Sequence, residues 1–390
     1  MVIVPLILYP YLIKTLGIEN YSLLITAHLF GGYYVILVNF GFRRIGPKGV
    51  AIRRSKTNEL SEYISAVFLI RLIFWLIALL INVMLINIIP IMSENKTLFL
   101  LAFGLTLNEL MFPQFYYQGL EKMKFITYLY ALMQLIYIAL VLLFIKHPED
   151  LSLVLVFKII PFVIVGAING YIIFINDRIQ LTLPSKNYFI EILQESAPLF
   201  ATDLIASIKD KSVYLFVVGF MGSGELVMFD LGIKFTNILS KGGSILGRVL
   251  LPRITTERNI KLALHSLVIN LFITAFIIFL VAFYMPDILC YLHISSMYVF
   301  LMRIFLVAPL VLSLSGLLAT NFLVAFNESS RLLSSIIVTS VFTVIILTVV
   351  YLNPNLIGLQ TFVLVTICAY VIEMVYRTYW SFKIYSNEKS

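Results

Sequence analysis

Stretches of about 20 apolar residues, separated by short polar turns, recur along nearly the whole chain, and no other feature restricts the fold as much. That length of helix covers the ~30 Å hydrocarbon core of a bilayer, and a chain in that medium must satisfy every backbone N–H and C=O internally. Twelve such stretches are read at roughly 2–15, 19–41, 63–91, 97–118, 125–146, 151–175, 197–220, 225–248, 262–285, 298–326, 332–352 and 356–383. The first offers only half a bilayer of apolar length, and no basic residues precede Val2 to Leu8 as a secretory signal would require. At 61% hydrophobic and 12% charged residues, the chain exposes too much apolar surface for a water-soluble domain. The expected class is an all-α polytopic membrane protein with about 12 transmembrane helices.

Loop charge orients these helices. Taken alternately, the connections carry eighteen Lys and Arg residues on one side, Arg43, Arg44, Arg53, Lys122 and Arg178 among them, against Lys14, Lys96 and Lys146 on the other. Cytoplasmic loops carry the positive excess, so both termini are expected in the cytoplasm and the short first helix is needed to keep the number of crossings even. The net charge of +8 follows from this topology; the cations are too dispersed for a nucleic-acid-binding domain. The longest hydrophilic stretches, 42–62, 176–196 and 249–261, are too short to build a soluble core. External turns such as Met221 to Gly224 are shorter still, which argues against polymerases and ligases that work through a large outer loop. A central connection at 181–196 divides the chain into a bundle at 1–180 and another at 197–390, and two six-helix bundles around a central cavity is a common transporter plan.

Within the eighth stretch one polar residue recurs every three or four positions. Asp230, Lys234, Asn237, Lys241, Ser244 and Arg248 fall within an arc of about 80° on a helix. Phe235, Leu239, Leu246 and Leu250 lie opposite, and Gly232, Thr236, Gly243 and Gly247 form a third face at the spacing that lets membrane helices approach closely. Such a helix is expected to line a wet cavity that attracts anions. Asp230 is placed to pair with Lys234 at i,i+4, whereas Lys241 has no acid at that spacing; an anionic cargo or an acid on another helix would explain it.

Ionisable residues inside a membrane are costly and face a cavity or a partner. Asp203 and Asp210 lie seven residues apart on one face of the seventh helix, with Lys209 and Lys211 flanking them. They read either as sites for a coupling proton or sodium ion, a role Asp230 could share, or as counter-charges for lysines across the seventh and eighth helices. Arg71, Glu109, Lys158, Arg303 and Glu373 are single charges whose simplest reading is an interhelical pair or a snorkelling side chain, with Arg71 also a candidate for binding an anionic substrate. The two cysteines, Cys290 and Cys368, suggest neither a disulfide framework nor a metal site, and the four histidines lack ligand spacing. No phosphate-binding Gly-rich loop or zinc-type motif appears, so neither a catalytic constellation nor a cofactor is expected.

Several segments resemble a known family over essentially the full length. Pro10-Tyr11-Leu12, Leu16-Gly17 with Glu19-Asn20-Tyr21, Gly32-Tyr33-Tyr34 and Asn39-Phe40-Gly41-Phe42 look like the opening of the polysaccharide-unit flippases, and Phe112-Pro113-Gln114-Phe115-Tyr116-Tyr117-Gln118-Gly119-Leu120-Glu121-Lys122-Met123-Lys124 is similar to their most recognisable segment. The resemblance is to O-antigen flippases of the Wzx type, within the multidrug/oligosaccharidyl-lipid/polysaccharide exporter superfamily. It implies a bacterial inner-membrane protein that moves an oligosaccharide linked to undecaprenyl pyrophosphate from the cytoplasmic to the periplasmic leaflet. It also implies an O-antigen polymerase and a chain-length regulator as neighbours. One departure is that only nine residues precede Pro10, where the family carries a complete first helix.

On this reading Lys234 and Lys241, with Arg248 and Asn237, offset the diphosphate and contact sugar, while the polyprenyl tail stays in lipid. A cation-coupled exporter of small molecules from the same superfamily is the alternative. It would want an acidic cavity, which the basic ladder does not offer.

Overall fold

The structure, a computed structural model, describes residues 4–292, 294–326 and 328–387, and all secondary structure among them is helical. The chain forms two compact units that divide between Leu204 and Ile205. In the first, the helices that matter here are α1 (Val4–Asn39), α2 (Phe42–Arg53), α3 (Thr57–Ile88), α4 (Lys96–Phe103), α5 (Leu107–Met111), α6 (Gln114–Gly119), α7 (Met123–Phe144) and α8 (Leu151–Gly170). The division falls within α9 (Lys186–Phe220), and the second unit continues with α10 (Ser223–Leu239), α11 (Lys241–Glu257), α12 (Ile260–Phe283), α13 (Val299–Phe305), α14 (Val307–Leu318), α15 (Ser329–Leu352) and α16 (Leu359–Asn387).

Nine helical segments among the described residues are long and apolar enough to cross a membrane. The remaining expected spans differ for local reasons. The first two, 2–15 and 19–41, run together in α1, bent at Gly17, whose φ of 81° and ψ of 163° lie outside helical space. No atom lies within 4 Å of where a Gly17 Cβ would stand, so glycine is required there by the backbone and not by packing. The seventh lies in α9, where Asp203, Lys209, Asp210 and Lys211 lower the hydropathy. The eighth is interrupted at Ser240, leaving two 17-residue helices, α10 and α11.

The connection expected at 181–196 is shorter than read. Its non-helical part covers 177–185, and α9 begins at Lys186. Pro184 cannot continue a preceding turn, and the Ser185 hydroxyl caps the new helix by accepting the Tyr188 N–H at 3.3 Å. Residues 186–196 are amphipathic: buried Ile192, with Tyr188, Phe189 and Leu193, joins the core of the first unit despite the charged residues between.

Polarity is distributed as a membrane demands. On α12, Ser266, Asn270 and Thr274 recur every four residues and are buried, while Ile269, Phe272, Phe276, Phe279 and Phe283 are exposed. The inward polar groups find partners: Asn270 donates to Ser313 Oγ at 3.1 Å, and Asn321 to Ser266 Oγ at 2.9 Å.

The Phe112–Lys124 segment builds the core of the first unit. Pro113 holds Phe112 in extended backbone and separates α5 from α6, and Glu121 turns the chain at φ 61° before α7. Phe115, Tyr116 and Tyr117 point inward and are almost fully buried. Tyr116 donates to Asp177 and Tyr117 to Asn169 Oδ1, each at 2.7 Å, which ties α6 to the end of α8. Gly46 on α2 and Gly119 on α6 let these two helices meet: a Cβ on Gly119 would stand 2.5 Å from Val50 Cβ and 2.6 Å from the Pro47 carbonyl oxygen.

Candidate functional site

The polar ladder of the second unit is held by its small-residue face. A Cβ on Gly232 would stand 2.5 Å from the Phe305 ring, and one on Gly243 would stand 2.9 Å from the Ser313 carbonyl, so α10 and α11 press directly on α13 and α14. Phe235, expected opposite, is buried as well. The polar positions then separate. Asp230 is buried and forms an ion pair with Lys234, while its Oδ1 accepts a hydrogen bond from Tyr214 at 3.0 Å. Lys234 is thereby committed to an acid of its own helix. Asn237 and Lys241 are exposed on the two sides of the Ser240 break, and among the described residues no side chain pairs with either. Of the expected ladder, the structure leaves Lys241 as an uncommitted cation with an amide four residues before it. The Arg248 side chain lies outside the described residues.

The acidic positions of α9 differ from one another. Asp203, in the first unit, pairs with Arg44 at 2.6 Å. Asp210, in the second, lies 3.4 Å from Lys209 with 55% of its side chain exposed. Lys209 is buried and donates to Glu373, whose other oxygen accepts from Arg377. Arg377 also donates to Ser335 Oγ at 3.1 Å and to Ser315 Oγ at 2.9 Å. This buried group joins α9, α14, α15 and α16. Glu373, read from the sequence as a single charge, has Arg377 at i,i+4 on α16, and that spacing was the available signal.

Arg71 is buried at the centre of another group, in the first unit. It donates to the Glu109 backbone oxygen at 2.7 Å and lies 4.7 Å from the centre of the Phe115 ring. The Glu109 carboxylate accepts from Asn39 at 2.6 Å and from Arg43 at 2.9 Å. The Glu109 carboxylate is therefore held by Arg43 and Asn39, whereas the buried Arg71 guanidinium reaches a backbone oxygen and an aromatic ring and has no carboxylate in an ion pair with it among the described residues. Asn39 and Arg43 flank the Phe40-Gly41-Phe42 turn, where φ at Gly41 is 80° and a Cβ would stand 2.8 Å from the Ser196 carbonyl. Glycine at that turn lets Asn39 and Arg43 reach the same carboxylate.

Among the described residues no group of three or more His, Cys, Asp or Glu side chains is placed to hold a metal ion.

Comparison with known proteins agrees on fold and family. The family model described as "Polysaccharide biosynthesis protein" matches residues 1–258. The "Putative O-antigen transporter" of Escherichia coli (strain K12) is 23% identical over 151 residues, which is 39% of this chain and 36% of that protein's length. Among solved structures, a multidrug resistance MATE family transporter of the MOP superfamily in an inward-facing conformation aligns with a TM-score of 0.75 at 14% identity, covering 100% of this chain and 96% of that one. An outward-facing MATE family transporter of the same superfamily aligns with a TM-score of 0.61 at 14% identity, covering 98% and 92%. The architecture is the two-bundle fold of MOP transporters.

Proposed function

Since the chain belongs to the polysaccharide biosynthesis protein family, we propose that it is a flippase that moves a lipid-linked oligosaccharide, an O-antigen unit on undecaprenyl pyrophosphate, from the cytoplasmic to the periplasmic leaflet of a bacterial inner membrane by alternating access. The observation that carries this reading is Lys241: a cation on a helix of a membrane transporter, exposed, with no acid beside it among the described residues. A charge in that position is costly unless a ligand of opposite sign visits it, and a diphosphate supplies that sign. Asn237, one turn away, offers donor and acceptor to sugar hydroxyls. Lys234 is left out of the contact because Asp230 already holds it. All three carboxylates considered for a coupling ion lie beside a cation, Asp203 by Arg44, Asp230 by Lys234 and Asp210 by Lys209 at 3.4 Å; the role is assigned to Asp210 because its contact is the longest and its side chain is more than half exposed. Both termini face the cytoplasm on the basic-loop count, and an O-antigen polymerase and a chain-length regulator are the expected neighbours.

The experiment is complementation of a host lacking its own O-unit flippase, with the cognate sugar-assembly genes supplied and membrane abundance verified. Wild type should restore surface polysaccharide, Lys241→Ala should lose it, and Lys241→Arg should retain most of it. Restoration by Lys241→Ala at wild-type level would remove the anion contact. Failure of wild type, combined with efflux of cationic dyes, would move the reading to the small-molecule exporter.

A further inference from the structure

In the first unit a crevice of about 310 Å³ opens among α3, the α5–α6 break and α8. Its walls include Val67, Phe68, Gly170 and Phe174, with Leu181 from the connection that follows, and Arg71 borders it. Three observations concern what it holds. Phe68, Phe174 and Leu181 both line it and lie exposed on a membrane-spanning unit, so the space communicates with lipid. A Cβ on Gly170 would meet nothing closer than the Phe174 ring at 3.9 Å, so the chain does not fill this space itself. Arg71, although buried, has an Nε–H with no hydrogen-bond partner, and its guanidinium donates to the Glu109 backbone oxygen while the Glu109 carboxylate is taken by Arg43.

An apolar cavity of this size stays dry and takes up apolar matter, and the volume is at the lower end of ligand sites, enough for a segment of one hydrocarbon chain. A wholly neutral occupant would leave the buried Arg71 without a counter-charge. We propose that this crevice binds the hydrocarbon chain of a single-chain anionic lipid of the polyprenyl phosphate class, its acidic head drawn toward the buried Arg71 guanidinium at its border. The lipid class rests on the flippase reading; the site itself does not. The crevice thus holds a carrier by its tail in the first unit, apart from the Lys241 contact in the second.

The test uses the full chain purified in detergent, with undecaprenyl phosphate as the probe and native mass spectrometry as the readout, in competition with phosphatidylglycerol at equal concentration. Wild type should retain the probe in preference to the phospholipid. Gly170→Leu fills the crevice from a position with room for a side chain, and Leu181→Asp sets a negative charge at its rim on a non-helical segment that tolerates exchange. Each should weaken retention about tenfold while eluting as wild type does, and either suffices if the other fails to fold. Unchanged retention in a folded variant, or displacement of the probe by phosphatidylglycerol, overturns the proposal. Complementation by wild type, run in parallel, separates the two readings: complementation with retention that ignores the crevice removes this site and leaves the flippase, and crevice-dependent retention without complementation does the reverse.

Discussion

Replacing Gly119 by alanine isolates the contact between α2 and α6. The added Cβ would stand 2.5 Å from Val50 Cβ and 2.6 Å from the Pro47 carbonyl oxygen, whereas carbon atoms prefer about 3.5–4.0 Å. The helices must therefore separate by about 1 Å, and because one obstacle is backbone, no rotamer change relieves it. Overpacking of this kind costs about 1–3 kcal/mol. Against it stands the helix preference for alanine over glycine, about 0.5–1 kcal/mol. The steric term wins, and a net loss of about 1–2 kcal/mol is expected. Gly219, in the last turn of α9, is the control: nothing lies within 4 Å of its Cβ position, so Gly219→Ala should be neutral or slightly stabilising. Thermal unfolding of detergent-purified protein, followed by loss of the monodisperse elution peak, ranks the variants. Adding Val50→Ala to Gly119→Ala should restore only part of the loss, since the Pro47 oxygen remains. If Gly119→Ala proves as stable as Gly219→Ala, the close approach of α2 and α6 is not what fixes glycine at 119.

Three further outcomes are expected. Tyr117→Phe leaves Asn169 Oδ1 without its buried donor and should lower stability by about 0.6–1.7 kcal/mol, the range for interhelical hydrogen bonds in membranes; a double-mutant cycle with Asn169→Leu should return a coupling of similar size. Glu373→Gln strands the buried Lys209 and Arg377, a loss of about 3–5 kcal/mol that should appear as low membrane abundance, unlike Lys241→Ala, which should keep its abundance. Asp203→Asn uncouples only a half-exposed partner, Arg44, and should change stability by less than about 1 kcal/mol in the same elution assay.

How far the sequence could be read depended on the range of the interaction involved. Apolar length found the helices, and the Asp230–Lys234 pair was visible because its partners lie one turn apart. The small-residue face on α10 and α11 was legible for the same reason: a period along one helix predicts a contact without naming the neighbour. Whether a charge finds a partner on another helix cannot be read from periodicity. Arg44–Asp203 and Lys209–Glu373 join residues more than 150 positions apart, and they turn two apparently free intramembrane charges into structural ones. The 186–196 stretch misled through composition, since its charged residues line one side of a helix whose other side is core. The crevice beside Arg71 had no signature, because a void is defined by what three separate segments fail to fill.

The Lys209–Glu373–Arg377 group constrains how this sequence can diverge. Each charge is buried and lies against one of opposite sign, so a lineage that loses one alone carries an uncompensated ion through every intermediate generation. Substitution is expected to come in blocks: the carboxylate leaves together with a cation, or α9 and α16 exchange charges as a set. Relatives should therefore sort into those keeping all three and those with an apolar group in their place, with few between. The same bookkeeping does not apply to Lys241, whose counter-charge on the proposed reading travels with the cargo, so that position should track what the protein carries and not how it is built.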